Sequence, residues 1–224
     1  LRNALLSSIS HDLRTPLTSI EGAASALVAM GGEGKELAET IYGESLRLNL
    51  QVQNLLDMTR LQSGEVRPRI EWNSVEEIVG SALARSRELL GDRPVTVHIP
   101  SDLPLLPVDA GLLDKLFVNL FENAAKHTPP GTAIEISAKV GTEIVRILVA
   151  DGGPGVPRGQ ETAIFERFAQ GGSKGEGLGL GLAICRAIMR LHGGRIWVQN
   201  RPEGGAEFHL EFPKPKAQPE VPVG

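Results

Sequence analysis

The chain has 224 residues, 41% of them hydrophobic, and a formal net charge of −4. Its charges are mixed and scattered, and two Trp, one Tyr and six Phe offer few stacking platforms, which argues against a nucleic-acid surface. No apolar run approaches the roughly 20 residues of a membrane span, no signal peptide is visible, and a single cysteine, Cys185, cannot form an internal disulfide, so a reducing, cytoplasmic setting is expected.

Residues 1 to 63 contain no convincing strand. Leu5, Ile9, Leu13, Leu17 and Ile20 recur at steps of three and four, the spacing of one helix face. "MGGEG" at 30–34 stops this helix. Leu37, Ile41, Leu48, Val52, Leu55, Met58 and Leu61 predict a second helix, ended by "QSG" at 62–64. Two amphipathic helices joined by a short turn make a hairpin whose apolar stripe stays half covered. Pairing with a second copy as a four-helix bundle covers it, so a homodimer is expected. Within the first helix, Pro16 removes a backbone donor and loosens the turn beside His11.

The texture changes after residue 64. "RPRIEW" reads as short and extended, and residues 74–90 as a helix with Ser74 as its N-cap. "VTVHI" at 95–99 alternates as a strand. A helix is predicted from Asp109 to His127, and "AIEISAKV" and "EIVRILVAD" read as strands joined near Gly141. Residues 178–192 read as an apolar helix ending in "HGG", a C-cap signal. "RIWVQN" and "AEFHLEF" close the pattern as a hairpin around "PEGG". The expected class is an α+β two-layer sandwich, helices on one face of a largely antiparallel sheet, preceded by the helical hairpin. The expected units are residues 1–64, residues 65–213 and a proline-rich, disordered tail at 214–224.

Three segments carry chemistry. "DGGPGVP" at 151–157 follows an apolar strand, and "GGSKGEGLGLGLAI" at 171–184 runs into a helix. Glycines let backbone amides approach a ligand, and a helix start adds free N–H groups, together a means of holding phosphates. Neither GxxxxGK[ST] nor GxGxxG is present, which disfavours a P-loop or a Rossmann site; such glycines alone equally fit a mobile loop. On the helix "NLFENAAKH", Asn119, Glu122, Asn123 and Lys126 share one face. Carboxamide and carboxylate oxygens suit Mg²⁺, and a lysine one turn on can meet a phosphate. Two asparagines in a helix interior carry a propensity cost, which favours function over a merely solvated face.

In this order, "SHDLRTPL", "NLFENAAKH", "DGGPGVP", "FERF" at 165–168 and "GEGLGLGLAI" resemble the H, N, G1, F and G2 boxes of the sensor histidine kinases. The resemblance spans residues 1 to 212. The phrases "LLDMTRLQSG", "GLGLAICRAI" and "NRPEGGAEF" look most like the potassium-responsive KdpD-type sensor kinases. The family implies a dimeric hairpin phosphotransfer domain followed by an ATP-binding sandwich of the type shared with Hsp90-like ATPases. It also implies a cytoplasmic catalytic core, attached to a membrane only through sequence upstream of Leu1.

The resemblance assigns roles residue by residue. His11 would accept the γ-phosphoryl group of ATP and pass it to an aspartate of a response-regulator receiver domain. Asp12 would orient the imidazole, Arg14 meet the phosphoryl oxygens, and Thr15 orient water for dephosphorylating the regulator. Asn123 resembles the Mg²⁺ ligand, with Asn119 nearby; Glu122 would polarise the incoming histidine and Lys126 meet the phosphates, with His127 lining the site. Asp151 resembles the carboxylate that reads the adenine amino group. Gly153, Gly155, Gly177, Leu178, Gly179 and Gly181 would shape the nucleotide loops, with Phe165 and Phe168 anchoring a short lid. Gly152 stands where the family usually carries Asn or another polar residue. The same motifs admit a protein that mainly dephosphorylates the regulator, or a nucleotide-binding docking scaffold. The hairpin argues against a plain Hsp90-like or MutL-like ATPase.

Overall fold

The computed structural model describes residues 18–29, 34–166 and 179–216. Its first unit is a helical hairpin of α1 (18–29) and α2 (Lys35–Gln62). Small residues let the two helices approach: Ala24, Ala38 and Ser45 are all buried. Asn49 of α2 donates to Glu21 of α1 across the pair (3.5 Å). The large apolar residues point elsewhere. Ile20, Leu27, Leu37, Ile41, Leu48 and Leu55 remain exposed on this single chain. Of the larger apolar residues of α2, those buried are Leu56 and Met58, near its C-terminal end.

The second unit begins with β1 (Glu71–Asn73), α3 (Val75–Arg85), the single turn α4 (Arg87–Leu90), β2 (Val95–His98) and β3 (Leu106–Val108). Ser74 caps α3 by accepting the Glu77 N–H. The helix expected over 74–90 divides at Ser86, a buried residue that leaves helical geometry (φ −91°, ψ 4°). Strand β3, which pairs with β1, was not expected, because Pro104 and Pro107 mask it. Prolines are tolerated at such a two-stranded edge, where half the backbone groups need no partner strand.

Then follow α5 (Ala110–His127), β4 (Ile134–Val140), β5 (Ile144–Asp151), a 3₁₀ turn (Ala163–Phe165), α6 (Gly181–Leu191), β6 (Arg195–Asn200) and β7 (Ala206–Pro213). Helix α6 starts at Gly181 rather than 178, since Gly179 adopts a left-handed conformation (φ +63°) that ends any helix there. It stops as expected at His192, with Gly193 left-handed (φ +66°) just beyond.

The main sheet runs in the order β2-β4-β5-β7-β6, with β2 parallel to β4 and all other pairs antiparallel. Alternation along the strands divides the two faces. Ile136, Ile147, Val149, Val198, Phe208 and Leu210 point to one buried face. Helices α5 and α6 cover it with Leu116, Phe117, Leu120 and Phe121, and with Ile184, Cys185, Ile188 and Met189, all within one core. Burial among these groups pushes the Cys185 thiol far up. The other face is polar and stapled. Trp197 stacks on His209 (centroids 4.8 Å apart, 4° between planes), with the Arg146 and Arg195 guanidiniums 5.4 and 4.9 Å from the indole. Glu211 accepts from both arginines.

The two units are joined. Met58 of α2 is 7% exposed and belongs to the core of the second unit, with Leu61 packed beside it. Next to Met58, Asp57 forms an ion pair with Lys115 of α5.

Candidate functional site

Helix α5 builds the centre of the site. Asp109 caps it by accepting the Leu112 N–H (3.0 Å) and also accepts from the Arg69 backbone (2.7 Å). Leu113, Leu116, Phe117, Leu120, Phe121 and Ala124 face the core, so Lys115, Asn119, Glu122 and Lys126 share the opposite stripe. The Asn119 amide donates to the Lys115 carbonyl (2.8 Å), which fixes its rotamer. At the far end, Arg93 donates to the carbonyls of Ala125 (2.9 Å) and Thr128 (3.3 Å), satisfying the last turn.

A cavity of about 710 Å³ opens on this stripe. Asn119, Glu122, Asn123, Lys126 and His127 form one wall, and Gly179, Leu180 and Gly181 at the start of α6 form its end. The third wall is α2, through Leu46, Leu50, Gln51 and Asn54. Among the described residues no side chain caps the N-terminus of α6, and its first N–H groups can serve an anionic ligand. Gly181 lies so close to Asn119 that a Cβ there would sit 2.9 Å from its side-chain oxygen. Burial raises the Glu122 carboxyl above the ordinary carboxylate range, with Lys115 and Lys126 pulling the other way. Partial burial and then Lys126 lower His127, with Asp151 opposing.

Asp151, Gly153 and Gly155 form a second cluster at the end of β5. One Asp151 oxygen accepts the N–H groups of Gly153 (2.9 Å) and Ala206 (3.3 Å), so the carboxylate is 6% exposed yet held. A Cβ on Gly153 would lie 2.5 Å from the Thr128 methyl, just after α5. Gly155 (φ +77°) sits against Asn200, whose amide clamps Val156 in both directions at 2.7 Å. Gly205 (φ +96°) passes directly over the Asp151 carbonyl, where any Cβ would overlap it.

Of the residues singled out in the sequence, Asn119, Glu122, Asn123, Lys126, His127, Gly179 and Gly181 line one cavity. Asp151, Gly153 and Gly155 adjoin it through the His127–Thr128 end of α5. His11, Asp12, Arg14, Thr15, Pro16, Phe168, Gly177 and Leu178 lie outside the described residues. Phe165 is 3% exposed and meets Phe208 edge to face (6.3 Å, 82°). Arg93, Asn200, Gly205 and Lys115 escaped the sequence reading. Only the tandem glycines of "PEGG" carried a signal, and it reads as a turn.

Among the described residues, no group of three or more His, Cys, Asp or Glu is placed to hold a metal ion. The carboxamides of Asn123 and Asn119 fit Mg²⁺ of the kind that takes one or two protein oxygens and completes its shell with phosphate and water.

The family model for the histidine kinase-, DNA gyrase B-, and HSP90-like ATPases matches residues 108–216, and that for the His kinase A (phospho-acceptor) domain matches residues 1–64. Sensor protein KdpD of Escherichia coli (strain K12) is 44% identical over 223 residues, 97% of this chain and 25% of that protein. Sensor protein KdpD of Clostridium acetobutylicum is 37% identical, over 96% of this chain and 25% of that protein. This chain thus spans about a quarter of the length of both relatives. Among solved structures, full-length ShkA in complex with AMPPNP is 28% identical with a TM-score of 0.81, covering 96% of this chain and 46% of that one.

Proposed function

This chain belongs to the sensor histidine kinases, and from that premise we propose that it transfers the γ-phosphoryl group of ATP to His11 and hands it to an aspartate of a response-regulator receiver domain. The observation that carries the reading is the cavity where the polar stripe of α5 meets the start of α6. Phosphoryl transfer is mostly positioning and charge stabilisation, and those are what these groups supply.

In the proposed reaction, one ring nitrogen of neutral His11 attacks the γ-phosphorus. A P–N bond forms as the P–O bond to the departing ADP breaks. Asp12 holds the proton on the other ring nitrogen and stabilises the charge that develops. Glu122 lies on the cavity wall as the group that polarises the incoming imidazole. Lys126 and the first N–H groups of α6 take the phosphates. Asn123, with Asn119 beside it, holds Mg²⁺, which when bound neutralises phosphate charge. Asp151, kept in place by Gly153 and Ala206, accepts from the adenine amino group. Gly153, Gly155, Gly177, Leu178, Gly179 and Gly181 shape the nucleotide loops, and Phe165 with Phe168 anchors the lid. Arg14 meets the transferred phosphoryl group, and Thr15 serves removal of phosphate from the regulator.

The uncovered stripe of Ile20, Leu27, Leu37, Ile41, Leu48 and Leu55 supports a homodimer through the hairpin. The proposed units are 1–64 for dimerisation and phosphotransfer and 65–213 for nucleotide binding, followed by a tail. The likeness to KdpD supports a potassium or osmotic response. No helix among the described residues is long and apolar enough to cross a membrane, so anchoring would come from other sequence of the longer protein.

Incubation with γ-labelled ATP and Mg²⁺ tests the reading. The native chain is expected to take up label that is acid-labile and alkali-stable, and His11→Gln to take up none. Equal labelling of the variant would overturn His11 as the acceptor. Nucleotide binding without label in the native chain would overturn the kinase reading in favour of a scaffold or a regulator phosphatase.

A further inference from the structure

The polar stripe of α5 does not begin at Asn119. Lys115 lies one turn earlier on the same stripe, at i−4 from Asn119 and i−7 from Glu122. It is not part of the cavity wall. Its ammonium meets Asp57 of α2, and both side chains are largely covered, at 29% and 18% exposure. Gln53, one turn back on α2, donates to both Asp57 oxygens at 3.2 Å. Beside this charged contact stands an apolar one. Met58 and Leu61 border a second hollow against Ala183, Ala187 and Arg190 of α6.

We propose that Asp57 and Lys115 form a docking clasp that sets the register of the hairpin helix on the nucleotide-binding unit, making Lys115 a positioning residue for phosphoryl transfer and not a nucleotide ligand. The inference rests on the kinase reading above. Three physical points support it. The pair is charged and only partly screened, so it distinguishes one register from its neighbours. Sliding α2 by one turn would carry Asp57 about 5.4 Å along the helix axis, break its ion pair with Lys115, and leave that covered lysine with only Glu122 as a nearby opposite charge. Apolar contact alone has no such discrimination, because Met58 and Leu61 can repack against many surfaces. Finally, the same helix that carries Asp57 supplies Leu46, Leu50, Gln51 and Asn54 to the cavity wall. The register set at Asp57 therefore sets the shape of the nucleotide cavity one to three turns away.

The clasp is testable on the full 224-residue chain with two readouts. Spin labels at Glu39→Cys on α2 and Lys139→Cys on β4 report the distance between the units, with labelled chain diluted into unlabelled; Cys185 is 0% exposed and stays silent. Steady-state autophosphorylation reports kcat and KM for ATP. Asp57→Asn and Lys115→Gln should each broaden the distance distribution and lower kcat about tenfold, with KM for ATP changed less than about twofold. The reversed pair, Asp57→Lys with Lys115→Asp, should regain at least about threefold over the sum of the single charge reversals. Lys115→Arg should keep most of the activity. Unbroadened distances in both single variants, or a reversed pair no better than additive, would sink the clasp. A rise in KM with kcat retained would make Lys115 a nucleotide ligand instead. Melting temperature and binding of a fluorescent ATP analogue check that each variant folds. Should Lys115→Gln fail that check, Asp57→Asn and the reversed pair decide. If the native chain takes up no phosphoryl group, the kinase reading fails, and the distance measurement still decides the clasp.

Discussion

Gly205 shows how much a single residue can carry without touching a ligand. It lies between the hairpin turn and Asp151, at φ +96° with no room for a Cβ. Its neighbour Ala206 then donates to the carboxylate that reads adenine in the proposed site. Gly205→Ala should therefore do two things at once. Strain and displacement of the Asp151 backbone should lower stability by about 2 kcal/mol, seen in the denaturation midpoint. Misplacement of the carboxylate should weaken binding of a fluorescent ATP analogue under conditions where the variant remains folded. Loss of stability with unaltered nucleotide affinity would separate Gly205 from the site. Neither Gly205 nor Asn200 was legible in the sequence. Both act on the "DGGPGVP" loop from about 45 residues or more away, across a strand pairing that local patterns do not reveal.

At the scale of elements, α5 and α6 form the proposed nucleotide cavity only if their ends are held in register. His192 does this. Its Nε2 accepts the Asp109 N–H at the start of α5 (3.0 Å), and its Nδ1 lies 2.8 Å from the Ile188 carbonyl at the end of α6. The neutral ring with its proton on Nδ1 satisfies both bonds. His192→Phe keeps the ring's bulk and leaves two backbone groups without their partner. It should cost about 1–3 kcal/mol, measured by denaturant unfolding; a change within error would show the tie to be dispensable. The sequence marked His192 as a helix end through "HGG", and the structure agrees. Its second bond was invisible, since Asp109 lies 83 residues away. Helix α5 was legible in full, from Asp109 to His127, because the capping signal and the apolar period are both local. The break at Ser86 and the late start of α6 were not, because both depend on single backbone conformations.

At the scale of the whole molecule, stability should respond to pH through the polar sheet face. His209 is 7% exposed under Trp197, and neither ring nitrogen has a well-formed hydrogen bond, although Glu207 lies 3.0 Å from Nε2. Burial lowers its affinity for a proton below the ordinary value of 6.5, with Glu207 and Glu211 opposing and Arg146 adding to the shift. The unfolded chain then binds a proton that the folded one declines, so stability falls as pH drops below about 6.5. Glu211 adds a second step at lower pH. Burial raises its carboxyl, but Arg146 and Arg195 outweigh this and hold it below the ordinary 4.5. That stability is present above 4.5 and is lost as pH falls through the folded value. Melting temperature should decline from pH 7.5 to pH 5.5, and His209→Gln should flatten that decline; an unchanged slope would exclude His209 as its source.

By itself the sequence determined the two-part architecture, the order of the helices and main strands, and the residues of α5 that converge on the cavity. These follow from local periodicity, caps and short motifs, all written within a turn or a strand. Only the tertiary structure decided what lies between distant segments: the Asp57–Lys115 pair, the wall that α2 lends to the cavity, the Asn200 and Gly205 supports of Asp151, and the stapled outer sheet face. Apart from the Trp197–His209 stack between neighbouring strands, each joins residues separated by several elements, and their meeting depends on sheet order and helix register, which no local pattern encodes.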